Sequence, residues 1–292
     1  MKTYPDCIPC FLRQTLTTAR RAGADDAVAH RALQEVLALL RAADLSEPPA
    51  RHARAIYPAV YRLVGEDDPF AALKQRYNRL AVALLPRLRR ETEAADDPFR
   101  AAVKLALAGN IIDFGAGREE DIDLASQIVE ITRREPAVDQ IAQLHERLNR
   151  ARRVLYIADN AGEIVLDRLL IEQLPPAAHV QLVVRGAPII NDVTRADLAS
   201  AEIPSTLDVI DTGQALPGVW LAEAGAEFLR AYEAADVIVA KGQGNFETLH
   251  ESEGPPLFFL FMVKCDVVVR RTGLALGDTV VAARGSDALA HR

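Results

Sequence analysis

Beyond Arg153 the chain changes period, and that change constrains the fold more than any other feature of the sequence. Short β-branched runs at 154–158, 180–184, 207–210, 237–240 and 267–269 alternate with helical runs. Strands alternating with helices predict a parallel sheet covered on both faces. In such sheets ligands bind outside the carboxyl ends of the strands, where helix N-termini also favour anions. The polar residues of this half of the chain collect at those ends. Asp159-Asn160-Ala161-Gly162-Glu163 follows the first run. Arg185-Gly186-Ala187-Pro188-Ile189-Ile190-Asn191-Asp192-Val193-Thr194 follows the second, Lys241-Gly242-Gln243-Gly244-Asn245-Phe246-Glu247 follows the fourth, and Lys264-Cys265-Asp266 stands near the fifth.

Asp159 and Asn160 offer hard oxygen ligands of the kind that suit Mg²⁺ or Mn²⁺. Either residue is equally well placed to be the N-cap of the helix that follows, and the stretch alone leaves both readings open. Asp192 brings a further carboxylate from another strand end. Basic residues here are overwhelmingly Arg, yet two of the few Lys, Lys241 and Lys264, sit at strand ends, which a solvated surface does not predict. Gly242 and Gly244 would let backbone N–H groups approach an anion closely. A divalent cation, a Gly-rich loop and lysines together suit a phosphate ester. The loop is not a Walker A motif, because no Lys-Ser/Thr follows the second Gly. It also lacks the third Gly of the dinucleotide fingerprint. The residues alone lead to a metal-dependent enzyme acting on a phosphorylated small molecule.

The first third of the chain reads as helical from about 19 to 107, with apolar residues at three- and four-residue spacing. Breaks fall at Glu47-Pro48-Pro49, Asp67-Asp68-Pro69 and Asp96-Asp97-Pro98, and the last two have Pro behind an acidic N-cap. Asp68-Pro69-Phe70 and Asp97-Pro98-Phe99 echo one another as two helix starts rather than as a repeat. Gly109-Asn110-Ile111-Ile112-Asp113-Phe114-Gly115 then interrupts a helix of small residues. Its Asn110 and Asp113 are either capping groups or part of a substrate-facing loop. A helix near 138–151 leads into the first strand. At the N-terminus Cys7 and Cys10 form a Cys-x-x-Cys pair, with Cys265 as the third thiol. No second Cys or His pair lies nearby to complete a zinc site, and two partly buried small side chains are the simpler reading. An odd number of Cys, no signal peptide and no membrane-length apolar run read as a cytoplasmic protein with reduced thiols. A formal net charge of −7 argues against a nucleic-acid surface.

Taken together, Asp-Asn-Ala-Gly-Glu after a strand, Pro-Ile-Ile-Asn-Asp-Val-Thr after the next, Lys-Gly-Gln-Gly-Asn-Phe-Glu further on and Gly-Asn-Ile-Ile-Asp-Phe-Gly upstream resemble one family. It is the damage-control phosphatase family, a former domain of unknown function related to the acidic-residue methyltransferase proteins. Asp6-Cys7-Ile8-Pro9-Cys10-Phe11-Leu12-Arg13-Gln14 resembles its stand-alone prokaryotic branch. The resemblance implies a helical N-terminal part (1–108) packed on a three-layer α/β/α part (109–292) with a mostly parallel, Rossmann-like sheet. It implies a divalent ion (Mg²⁺, Mn²⁺, Co²⁺ or Ni²⁺) on Asp159, Asn160 and Asp192. It implies a substrate phosphate held by Lys241, Gly242, Gln243, Gly244, Asn245 and Lys264, with Asn110 and Asp113 lining the cleft. Glu163 stands close to a catalytic acidic residue of the family, although the loop is one residue shorter here than in the eukaryotic branch. Phe261-Met262-Val263-Lys264 stands where that branch has Arg-Thr-x-Lys. The expected activity is hydrolysis of phosphomonoesters of small, damaged or side-product metabolites by metal-activated water, with Asp159 as nucleophile the less favoured route. The rival readings are an S-adenosylmethionine-dependent carboxyl methyltransferase and a metal or redox sensor built on Cys7, Cys10 and Cys265.

Overall fold

The computed structural model describes residues 1–111 and 124–289. Five helices come first: α1 (Cys7–Arg21), α2 (Asp26–Arg41), α3 (Pro49–Val64), α4 (Ala71–Glu93) and α5 (Pro98–Ala108). Their starts follow the breaks in the sequence. Pro49 and Pro98 open α3 and α5, where a missing N–H costs nothing, and the Asp97 carboxylate accepts the Arg100 N–H at 2.9 Å. After α6 (Leu124–Thr132) the α/β pattern runs β1 (Val138–Asp139), α7 (Ile141–Arg150), β2 (Arg153–Ile157), α8 (Glu163–Ile171), β3 (His179–Val184), β4 (Asp208–Asp211), α9 (Ala226–Ala234), β5 (Val237–Lys241), α10 (Gly242–Leu249), β6 (Leu257–Met262), α11 (Asp266–Thr272) and β7 (Thr279–Ala283).

Among the described residues seven strands form one sheet in the order β1-β7-β6-β5-β2-β3-β4, parallel throughout except where β7 runs against β6. The architecture is thus α/β with a mostly parallel sheet, as the strand–helix alternation implies. Two features differ in detail. The 267–269 run is helical, inside α11, and the strand beside β5 is the apolar run Leu257–Met262. Three β-branched residues are too few to hold a strand once Cys265 starts a helix and Gly273, at φ 73°, ends it. The expected helix at 138–151 begins with a two-residue strand, because Val138 and Asp139 pair with β7 before α7 starts.

Side chains alternate cleanly between two apolar layers. Val154, Tyr156, Val237, Val239, Phe258 and Leu260 pack with α4, α5 and α8 on one face. Leu155, Ile157, Ile238, Ala240, Leu257 and Phe259 pack with Phe228 of α9, Phe246 of α10 and Val268 of α11 on the other. At ~1.5–3 kcal/mol for each fully buried large aliphatic or aromatic side chain, these layers fix the register of every strand. The first layer also includes Phe11, Val36, Tyr57 and Tyr77, so the helical part and the sheet share one continuous core.

The chain passes from β2 to β3 and β4 on one side, then returns to place β5 and β6 on the other. Strand order therefore reverses between β2 and β5. Ile157 pairs with both Ala240 and Val183, so the carboxyl ends of β2, β3 and β5 lie level. A crevice at such a reversal is where open α/β sheets bind ligands.

Candidate functional site

Three chain segments meet at that crevice. The loop after β2 carries Asp159 and Asn160, and the loop after β3 carries Asp192. Asn160 and Asp192 form an isolated antiparallel bridge, and Val193 N–H donates to Asp159 O at 2.9 Å. All three side chains are buried. The capping alternative does not hold, because α8 begins behind Gly162, whose φ is 79°, with no side-chain cap. From the β5 end, Gly242 presses its backbone onto Asp159. A Cβ on Gly242 would lie 1.9 Å from Asp159 Oδ2, so only glycine lets these two loops close.

The Asn160 amide is held from its nitrogen. Nδ2 donates to Asp159 Oδ2 at 2.7 Å and to Glu163 Oε2 at 3.1 Å, which leaves Oδ1 as the atom that can coordinate. Burial pushes the Asp159 carboxyl well above the usual range, helped by the neighbouring Asp192 and Glu163 charges and opposed by Lys264 and Arg185. Burial also raises Asp192, against the pull of Arg185.

Arg185, which the sequence reading passed over, is the cation between them. It is 1% exposed. Its Nε donates to Asp192 Oδ2 at 2.6 Å, Nη1 to Asn245 Oδ1 at 3.3 Å and Nη2 to Asp159 Oδ1 at 3.5 Å. Its place directly after β3, level with the end of β2, is the signal that would have found it.

Lys241 lies elsewhere than expected. Its ammonium is fully buried and donates to Glu163 Oε1 (2.7 Å), Asp167 Oδ1 (2.6 Å) and Ala106 O (2.8 Å). All three donors are used inside the protein, so its expected role as a phosphate ligand does not match this geometry. Burial alone would lower its pKa, but Asp167 and Glu163 outweigh that and raise it. Glu163, expected to be catalytic, is also fully enclosed. It accepts from Asn110 Nδ2 at 2.8 Å as well as from Asn160 and Lys241. Asn110 therefore faces Glu163, and the Asp113 expectation lies outside the described residues. Asp167, one turn along α8 from Glu163, accepts Tyr156 Oη–H at 2.8 Å, and burial lifts its carboxyl to about 6 against the pull of Lys241. Their i,i+4 spacing, visible in the sequence, puts Glu163 and Asp167 on one face of α8.

The remaining loop residues divide between the site and its scaffold. Asn245 is buried and donates to Lys241 O at 2.6 Å, tying the β5 end to Arg185. Gln243 donates to Glu247 Oε1 (2.7 Å) and Cys265 Sγ (3.5 Å) and accepts Lys264 N–H (2.8 Å), so it links α10 to the segment after β6. Gly244 packs on Pro217 O, which a Cβ would meet at 2.5 Å. Lys264 is half-buried, and its charge reaches Asp159.

Cys7 and Cys10 open α1, and Cys265 precedes α11. Cys7 is half-buried, and burial pushes its thiol up to about 11, so it stays protonated near neutral pH and resists thiolate chemistry, whereas Cys10 is exposed and departs from the expectation of two partly buried side chains. The double variant Cys7→Ser/Cys10→Ser is expected to keep most of its phosphoester turnover and to carry no less zinc or iron than wild type. Metal analysis beside steady-state rates checks this, and joint loss of metal and activity would contradict it.

Among the described residues no group of three or more His, Cys, Asp and Glu side chains could hold a metal ion. A cation in the crevice would have to use two carboxylates and an amide oxygen. The residues present fit that requirement. Asp159, Asp192, Glu163 and Asp167 are four buried carboxyls facing two buried cations, Arg185 and Lys241. A hard dication would fit the oxygen donors of Asp159, Asn160 and Asp192, and would favour the ionised carboxylates that burial alone disfavours.

Fold and site together define an α/β protein with an acidic, oxygen-lined crevice at the sheet's point of reversal. The chain belongs to the family described as Damage-control phosphatase ARMT1-like domain, which it matches over residues 3–280. It is 35% identical over 284 residues to a damage-control phosphatase of Pyrococcus horikoshii, covering 96% of this chain and 97% of that one. A damage-control phosphatase of Archaeoglobus fulgidus is 33% identical over 288 residues, with 96% and 98% covered. The crystal structure of a DUF89 family protein from Pyrococcus horikoshii superposes with a TM-score of 0.86 at 34% identity, covering 97% of this chain and 99% of that one. Among the described residues no helix is long and apolar enough to cross a membrane.

Proposed function

We propose that this protein is a divalent-metal-dependent phosphomonoesterase acting on small phosphorylated metabolites, damaged or side-product molecules among them. Family membership supports the phosphatase role. The observation that carries the metal dependence is the buried Asp159–Asp192 pair, set level with Asn160 at the sheet's reversal point against the Gly242 backbone. Asp159, Asn160 and Asp192 would hold Mg²⁺, Mn²⁺, Co²⁺ or Ni²⁺. When bound, such an ion supplies Lewis acidity toward a phosphoryl oxygen and acidifies water at neutral pH.

The chain's own residues do the rest. Asp159 has Oδ2 tied to Asn160 and Oδ1 facing Arg185, an arrangement that suits a fixed ligand better than an attacking nucleophile. Lys264, half-buried after β6 with its charge acting on Asp159, would contribute positive charge toward substrate phosphate. Glu163 turns the Asn160 amide so that its oxygen faces the crevice, and Lys241 and Asn110 fix Glu163 in turn. Glu163 and Lys241 are thus positioning residues in this reading, one shell behind the ligands.

The test is a panel of phosphomonoesters, each with Mg²⁺, Mn²⁺, Co²⁺ or Ni²⁺ added to metal-stripped protein, beside S-adenosylmethionine with acidic acceptors. Ion-dependent release of orthophosphate supports the reading. Methyl transfer without phosphate release would replace it with the methyltransferase alternative.

A further inference from the structure

The two ligand-bearing loops are each held by a side chain from the helical part, and one of them is held in a strained conformation. Ile190, two residues before Asp192, has φ 46°. A β-branched residue in the left-handed region is a rare outlier, and such strain persists only where surrounding groups enforce it. Tyr61 on α3 hydrogen-bonds this residue directly. The Ile190 N–H donates to Tyr61 Oη at 2.8 Å, and Tyr61 is 5% exposed inside the shared core. Behind Asp192, Thr194 N–H and Oγ1–H donate to Asp197 Oδ2 at 2.8 and 2.7 Å, and the fully buried Lys74 of α4 pairs with the same oxygen at 2.9 Å. The Asp159–Asn160 loop is caught in the same way. Gly162 N–H, at a left-handed φ of 79°, donates to Asn78 Oδ1 of α4 at 2.5 Å. Asn78 Nδ2 reaches Asp197 O at 3.2 Å, so one amide joins the two loops.

We propose that Tyr61 is a positioning residue for the cation site: its hydroxyl holds Ile190 in the left-handed conformation that aims Asp192 at Asp159 and Asn160. The helical part is then a component of the site rather than a cover over it. Metal binding and the docking of α3 and α4 on the sheet are coupled, because each favours the same arrangement of the two loops. This inference rests on the proposed metal site.

A double-mutant cycle on the full chain tests it, using Mn²⁺ alone as the probe. Calorimetric Mn²⁺ affinity is measured for wild type, Tyr61→Phe, Ile190→Gly and the double variant, with melting temperatures in metal-free buffer alongside. Glycine adopts the left-handed region without cost, so it needs no tie to stay there. Tyr61→Phe is expected to weaken Mn²⁺ binding roughly three- to tenfold in the wild-type background, the effect of one lost hydrogen bond. In the Ile190→Gly background the same substitution should change affinity by less than about twofold, a rescue that a purely structural role for Tyr61 would not produce. Equal Mn²⁺ affinity in wild type and Tyr61→Phe, or the same loss in both backgrounds, would overturn the positioning role while leaving the metal site standing. Failure of the wild type itself to bind Mn²⁺ removes the metal site, and the inference goes with it.

Discussion

Asp192→Asn should lose detectable divalent-ion binding and phosphoester turnover together while the fold is kept. The amide keeps the shape of the side chain and an oxygen for Arg185 Nε, now 2.6 Å from Asp192 Oδ2, but it removes one of the two carboxylates that face the crevice. Loss of a partner that merely orients a ligand costs about 10–100-fold in metal affinity. Loss of the ligand's charge should exceed that, so binding is expected to fall by more than about 100-fold. Asp192→Ala should behave differently in one respect. It leaves Arg185 buried with Asn245 and the more distant Asp159 as its remaining contacts, and an uncompensated buried charge destabilises by roughly 3–5 kcal/mol. Calorimetry with Mn²⁺ and thermal unfolding on both variants separate the two effects. Mn²⁺ affinity in Asp192→Asn within threefold of wild type would exclude Asp192 as a ligand.

Lys241→Ala should damage stability as well as rate. With the ammonium gone, Glu163 and Asp167 remain fully buried beside each other and Ala106 O loses its donor. Breaking a buried pair in this way costs about 3–5 kcal/mol, a fall in melting temperature on the order of 10 °C. Turnover should fall because Glu163 no longer turns the Asn160 amide toward the crevice. Lys241→Arg should not rescue, since the planar guanidinium has no room in a fully enclosed site and its fork does not match three converging acceptors. Differential scanning calorimetry beside steady-state kinetics checks both parts. A variant with wild-type melting temperature and reduced kcat/KM would instead restore Lys241 to direct phosphate binding.

The contrast between Asp192 and Lys241 shows what was legible in the sequence. Strand ends are readable from the β-branched runs, and that alone brings Asp159, Asn160 and Asp192 to one edge of the sheet. The direction of Lys241 was readable too, by parity. Val237, Val239 and Lys241 are two apart, so they share the face covered by α5 and α8, where Glu163 and Asp167 wait. The expectation followed the strand end and neglected the face. The pairing of β6 with β7 was hidden for another reason. Leu257–Met262 is apolar throughout, because a strand between β5 and β7 is buried on both faces and loses the period-2 signal. The strain at Ile190 and its tie to Tyr61 join residues 129 apart in sequence, and no local pattern carries such a contact.

The central claim is that phosphoester hydrolysis depends on a divalent ion held by Asp159, Asn160 and Asp192. The most direct test is orthophosphate release by chelator-stripped protein as Mn²⁺ is added back in steps. The account predicts near-zero release at the start, a rise that follows the calorimetric binding curve to saturation at one equivalent, and no rise in Asp192→Asn. Hydrolysis by the stripped protein equal to that of the metal-loaded protein would contradict it.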